Sequence, residues 1–391
     1  MQLKHSLQLA YCTNVHRGET WAETMAYLQT DTLAVRDRVC PGKPFAIGLR
    51  LGEQAATELN QRDTLLEFRR WLGKNSCYVF TINGFAQGQF HGKRVKEHVY
   101  NPDWAFPDRV AYTNLLFNIL AELVPPGLEG SVSTMPCSYK PFYPSLDAVK
   151  AIRQNLWHTI EHIARISSRT GRKLHLGLEP EPLCMLESTA EVMNLFDHLR
   201  SEHPRDERLA EHLGVTYDTC HFAVECEEPQ NALGCLINHG IKLSKIQLSS
   251  ALKVSPTPAV REELKSFADE VYLHQVVARD AAGDRMIFPD LPDALAHARS
   301  AYTDDAELPE WRIHYHIPLH AAAAPPFDNT TDHLLAVLDV LAQAPQLCPH
   351  LEMETYTWEV LPPELKEQST VDQISAEYDW TLGQMRERGL A

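Results

Sequence analysis

Eight short apolar, strand-like runs alternate with helix-like stretches, and several of the runs end in carboxylates, amides or imidazoles. Together these predict an α/β chain folded as a (β/α)8 TIM barrel. The strand-like runs are 7–15, 44–51, 76–84, 130–136, 174–182, 213–221, 244–252 and 351–360. Apolar residues at helical spacing mark 19–39, 146–171, 189–202 and 330–343. Gly171 supplies a stop for the second of these, and Ser188 or Thr189 a cap for the third. One interval breaks the rhythm. The stretch 253–350 is too long for a single crossover and holds the strand-like 272–280, 285–289 and 311–320. The expectation is one barrel domain over 1–391, with a β-rich insertion between strands seven and eight at about 253–350. Residues 88–109 read as a loop over the same face.

Composition bounds the chemistry. Of 391 residues, 44% are hydrophobic, enough for a large core. No apolar run approaches the ~18 residues of a membrane span, and the N-terminal stretch lacks the apolar core and cleavage site of a signal peptide. Nine cysteines, scattered and without C-x-x-C pairs, read as reduced thiols of a cytoplasmic protein. A net charge of −16 argues against a phosphate-backbone partner, so no nucleic acid is expected. The sequence holds no P-loop, dinucleotide-binding or nucleophile-elbow motif, so those readings have no support, and a small-molecule substrate is the expected partner. Oligomeric state has no signal in the sequence.

The strand ends carry the functional signal, because the loops at the C-terminal ends of barrel strands build the active site. The first ends in Asn14 and His16, the third in Asn83 and the fifth in Glu179 and Glu181. The sixth ends in Asp218 with His221 beyond it, the seventh carries Gln247 and Ser249, and the eighth carries Glu352 and Glu354. The insertion adds His314 and His316, two apart and so on one face. Like-charged carboxylates held together are costly unless a cation sits between them. Carboxylates, an imidazole and a carboxamide at one mouth fit a hard-to-borderline divalent metal. Lys140, in the loop after strand four, is placed to meet a substrate oxyanion or phosphate.

The motifs "LGLEPEPLCMLE", "YDTCH" and "METY" resemble those of the xylose-isomerase-like barrels, a superfamily of sugar isomerases, ketose 3-epimerases and endonuclease IV-type enzymes. Over nearly the whole length, "AYCTNVHRGETWAET", "IHYHIPLH" and "LEMETYTWEVLP" are also similar to the metabolite-traffic protein E group of the bacterial ebo cluster. The resemblance implies a divalent metal (Zn, Mn, Mg or Co) held by a Glu, an Asp, a His and a final Glu, with the two glutamates moving a proton at a sugar carbon. Carried over, Glu181 fits the first Glu, because Glu187 follows six residues on; Glu179 stays open on strand parity. Asp218 fits the Asp, Glu354 the last Glu, and His221 the substrate-contacting His. The seventh-strand His is replaced by Gln247. Either Gln247 ligates through its amide oxygen, or His316 or His314 from the insertion takes the place.

The resulting expectation is a metal-dependent sugar isomerase or epimerase. Glu181 and Glu354 would be its catalytic pair. Its metal set would be Glu179, Glu181, Asp218, Gln247, His316 and Glu354, and its substrate contacts His16, Asn83, Lys140, Glu187, His221 and His314. Two rivals stand beside it: a metabolite-binding or trafficking protein that keeps the metal site without turnover, and a metal-dependent hydrolase. The hydrolase reading suffers because H-x-H occurs at 314–316 rather than on the first strand.

Overall fold

The computed structural model describes residues 1–88, 95–142, 144–268, 271–302, 308–321, 325–356 and 369–391. The chain first lays down β1 (Gln8–Tyr11), β2 (Phe45–Arg50), β3 (Cys77–Asn83), β4 (Glu129–Thr134), β5 (Lys173–Leu178), β6 (Leu213–Asp218) and β7 (Lys242–Leu248). It then leaves for β8 (Leu252–Val254), β9 (Val276–Arg279), β10 (Arg285–Phe288), β11 (Glu310–Ile313) and β12 (Phe327–Asn329), and returns as β13 (His350–Met353). The parallel sheet runs β1-β13-β7-β6-β5-β4-β3-β2, and a bridge between Cys12 and Gly48 joins its two edges. This is the (β/α)8 barrel expected, with the insertion forming a separate five-stranded antiparallel sheet in the order β10-β9-β11-β8-β12.

All eight expected barrel strands are present. The seventh is shorter than its apolar run suggested: β7 ends at Leu248, and Leu252 already belongs to the second sheet. The last four residues of the expected strand 351–360 and residues 89–94 of the expected loop lie outside the described residues. Helices follow the sequence signals. Thr20 and Ser188 each form a reciprocal capping box, with Glu23 and Glu191. Gly171 ends the helix Leu146–Thr170 at φ 69°, a conformation glycine adopts without Cβ strain. Between Trp21–Tyr27 and Leu33–Val39 a π turn, Leu28–Thr32, inserts into the expected 19–39 helix. All nine cysteines are free. Among the described residues no helix is long and apolar enough to cross a membrane.

The apolar residues on the outer faces of the strands join the surrounding helices in one core, while Leu252, Val276, Leu295, Trp311 and Ile313 centre a second core in the insertion. The barrel interior is polar. A register shift lets Thr216 of β6 pair with Lys245 one residue after Val215 pairs with Leu243, leaving Ser244 as an extra residue on β7. As a result, consecutive side chains both reach inward. Ser244 Oγ meets His175 Nδ1 of β5 at 2.7 Å, and Lys245 Nζ donates to Glu352 Oε2 of β13 at 2.5 Å and to Ser133 Oγ of β4 at 3.1 Å. β4 and β7 are not neighbours in the sheet, so the last contact crosses the interior. The shift also sets the parity that turns Gln247 inward, two residues above Lys245.

Candidate metal centre at the barrel mouth

Three carboxylates crown the interior. Asp218 ends β6 and caps the next helix, Thr219–Val224: its Oδ1 accepts from Cys220 N at 2.7 Å, His221 N at 3.1 Å and Ser249 Oγ at 2.6 Å. Glu354, one residue past β13, accepts at Oε1 from Asn14 Nδ2 at 2.7 Å and Asn83 Nδ2 at 3.1 Å. Glu179 lies one residue past β5. Each has one oxygen that is buried and without a hydrogen-bond partner: Glu179 Oε2, Asp218 Oδ2 and Glu354 Oε2. The three side chains offer oxygens all within 4.8 Å of one another, at residues no more than 5% exposed. Burial, then the mutual repulsion with Asp218 and each residue's other neighbouring carboxylates, pushes Glu179 and Glu354 well above the carboxylate range. Hard, anionic, otherwise unsatisfied oxygens are the donor set a divalent cation needs. Gln247 sits in register between Asp218 and Glu352, fully buried, with neither amide atom hydrogen-bonded.

Three imidazoles stand beside them. His316 Nε2 lies 3.2 Å from His314 Nε2 and 3.3 Å from His221 Nε2. Each ring turns its Nδ1 to a carbonyl oxygen: His221 to Pro180 at 2.9 Å, His316 to Glu354 at 2.9 Å, and His314 to the Gln275 side chain at 2.8 Å. A carbonyl oxygen only accepts, so each neutral ring carries its proton on Nδ1 and leaves a lone pair on Nε2. The lone pair of His316 then faces that of His221 and that of His314, an arrangement a cation stabilises and empty space does not. Burial lowers the affinity of all three rings for a proton, His221 and His314 most, which favours a metal as that cation. Asp218 Oδ2, 3.9 Å from His221 Nε2, connects this group to the carboxylates. Cys220 also lies within ligand reach of His314 and His316.

Glu181 belongs to the histidine side. Strand parity would place it with Glu179, but β5 ends at Leu178 and the chain turns, Glu181 N–H reaching Leu186 O at 3.1 Å. Its Oε1 accepts from Tyr100 Oη at 2.8 Å and Gln275 Nε2 at 3.4 Å, and lies 3.5 Å from His314 Nδ1. Burial pushes its carboxyl up to about 8, against the opposing pull of those hydrogen bonds. The carboxylate that groups with Asp218 and Glu354 is therefore Glu179, where the sequence comparison favoured Glu181.

Among the expected substrate contacts, Asn83, His221 and His314 line the cavity over these groups, as do Asn14, His316 and Tyr100. His16, Lys140 and Glu187 are not part of that lining. His16 bonds Tyr11 Oη at 2.9 Å and stacks on Tyr27; Lys140 is held by Glu187 and by Glu191, the latter at 2.7 Å. The sequence reading passed over three residues the geometry makes central. Lys245, whose lysine in an otherwise strand-like run was a signal, is fully buried against Glu352. Burial alone would lower its pKa, but Glu352 and Glu179 outweigh this and raise it. Gln275 and Tyr100 fix Glu181 and His314, and nothing in their local sequence marked them.

No protein-family model and no curated protein matches this chain. Among solved structures it is similar to a xylose isomerase-like TIM barrel protein from Mycobacterium smegmatis in complex with magnesium, at 10% identity over 99% of each chain, with a TM-score of 0.52. It is also similar to D-psicose 3-epimerase from Clostridium cellulolyticum H10 with D-tagatose, at 9% identity over 98% of this chain and 100% of that one, with a TM-score of 0.50. The likeness is one of fold, the (β/α)8 barrel.

Proposed function

We propose that the chain is a divalent-metal-dependent isomerase or epimerase acting on a hydroxy-carbonyl small molecule. The observation that carries this reading is the meeting of three carboxylates, Glu179, Asp218 and Glu354, which bring oxygens within 4.8 Å of one another at a buried barrel mouth and each keep one oxygen without a hydrogen bond. Charge balance supports it. Lys245 offsets Glu352, but Glu179, Asp218, Glu354 and Glu181 remain buried together. Two cation positions suit these groups, one among the carboxylates with Gln247 beside them and one among the imidazoles, where Asp218 joins His221 and His316 and Glu181 joins His221 and His314, each set within 4.8 Å. The magnesium complex and the epimerase among the fold's solved examples agree with this reading.

A bound divalent ion would supply Lewis acidity toward two adjacent substrate oxygens. The chain supplies the rest. Glu179 and Glu354 approach from the ends of β5 and β13, two separate sides of the mouth. One takes a proton from the carbon beside the carbonyl, and the other returns one to its neighbour or to the opposite face. Asn14 and Asn83 hold Glu354 so that Oε2 is the reactive oxygen. Burial keeps water from competing for the proton.

The test is solvent deuterium exchange at the carbon beside the carbonyl. Small hydroxy-ketones are incubated with Mn²⁺-loaded protein in D2O. Metal-dependent exchange that vanishes in both Glu179→Gln and Glu354→Gln supports the proposal. Metal binding without exchange on any hydroxy-ketone would favour the binding-protein reading, to which the neutral Gln247 in the ligand ring lends weight.

A further inference from the structure

The cavity above the candidate ligands has two unlike faces. Its floor is the polar crown. Its wall, among the described residues, is contributed by Phe85 and Ala86 after β3, Val95, Val99 and Tyr100 in the loop beyond, Tyr272 and Leu273 of the insertion, and Tyr356 after β13. The tyrosines present ring surface. Tyr100 spends its hydroxyl on Glu181, leaving its ring to the wall. Tyr356 stacks on His316 at 4.7 Å between ring centroids and meets Tyr272 edge-on at 5.9 Å. The cations on the lining, Arg50 and Lys96, are engaged by Glu19 and Asp290.

A free ketose carries a hydroxyl on nearly every carbon. Against this wall, hydroxyls distant from the metal ligands meet ring faces and methyl groups, and a buried hydroxyl without a partner is costly. We infer that the substrate or ligand of this cavity joins one pair of adjacent oxygens to an apolar, aromatic body, and is not a free polyol sugar. Its oxygens lie toward Glu179, Glu354 and the histidines. Its body lies against Val99, Tyr100, Leu273 and Tyr356, where apolar area is removed from water and aromatic rings stack. The inference rests on the metal-centre reading for the head group and on the wall alone for the body.

The test uses two hydroxy-ketones that share a head and differ in body: 2-hydroxyacetophenone and D-fructose. Binding to the full chain is measured by calorimetry, with and without Mn²⁺. The expected result is at least tenfold tighter binding of the aryl ketone, and a preference that narrows at least threefold in Val99→Asn and in Leu273→Asn. Both positions are partly exposed, so these variants are expected to fold. Equal or tighter binding of fructose would overturn the inference. So would a preference unchanged in both variants, or no binding of the aryl ketone at millimolar concentration. An aryl preference that persists but ignores Mn²⁺ would strike the metal-dependent reading and leave the assignment of the wall standing.

Discussion

The Nδ1–H of His316 donates to the backbone carbonyl of Glu354 at 2.9 Å, tying the insertion to the end of the eighth barrel strand. One residue thus serves both halves of the centre: the side chain of Glu354 joins the carboxylates, and its main chain aims His316 Nε2 at the other imidazoles. If each half holds its own cation, the parent protein binds about two equivalents of divalent metal at neutral pH. His316→Ala is expected to lower this to about one and to leave the carboxylate position occupied. Elemental analysis after dialysis reads the outcome directly. Loss of all metal in His316→Ala would merge the two positions into one.

The carboxylates predict a contrast between neighbours in sequence. Removing an outer-shell partner alone costs metal affinity about 10–100-fold. Glu179→Gln or Glu354→Gln should therefore weaken the carboxylate position by more than about 100-fold. Glu181→Gln, two residues from Glu179, should leave that position within a few-fold of the parent. Competition with a chelator of known affinity measures all three. Equal losses in Glu179→Gln and Glu181→Gln would restore Glu181 to the role its motif suggested.

That contrast also shows what the sequence could carry. All eight barrel strands were legible, because buried parallel strands read as apolar runs and barrel function gathers at their C-terminal ends. Asp218 and Glu354 followed from that rule. Glu179 and Glu181 could not be sorted, since period-two parity holds only inside a strand and β5 stops at Leu178. The pairing of His314 with His316 survived because both lie just past β11, yet their meeting with His221 spans 95 residues between His221 and His316 and has no local signal. Lys140, read as a contact for a substrate oxyanion or phosphate, is ion-paired with Glu187 and Glu191.

The metal-free protein should lose stability as the pH rises from 7 to 8. Glu181 has its folded value raised from 4.5 to about 8, so between those values the folded state binds the extra proton and stability falls with rising pH. Glu179 and Glu354 shift in the same direction. The buried histidines act oppositely: their folded values are lowered, so they cost stability only below about 6.5, which is why the window starts at pH 7. Glu225, raised to about 8 by burial away from the centre, adds a slope that metal does not touch. A metal ion favours the charged carboxylates, so saturation with Mn²⁺ should flatten the pH 7–8 slope without abolishing it. Urea unfolding at both pH values, with metal and with chelator, checks this. Identical slopes in the two series would mean that no cation meets these carboxylates.

Beneath the centre, Lys245 and Glu352 form an ion pair with neither side chain exposed, and Gly48 makes room for it. A Cβ at Gly48 would fall 1.8 Å from Glu352 Oε1 and 2.6 Å from the Tyr11 carbonyl oxygen. The side chain could swing away, but the β1 backbone could not. Gly48→Ala should therefore cost at least about 1–3 kcal/mol, as overpacking of a tight core does. Lys245→Met leaves Glu352 charged and alone, and breaking a buried pair this way costs about 3–5 kcal/mol. The double variant Lys245→Met/Glu352→Gln removes both charges and should recover most of that loss. Urea midpoints of the single and double variants give the coupling between the pair. A single variant as stable as the double would show that Lys245 does not hold Glu352, and that Glu352 draws its compensation from the metal ions above it.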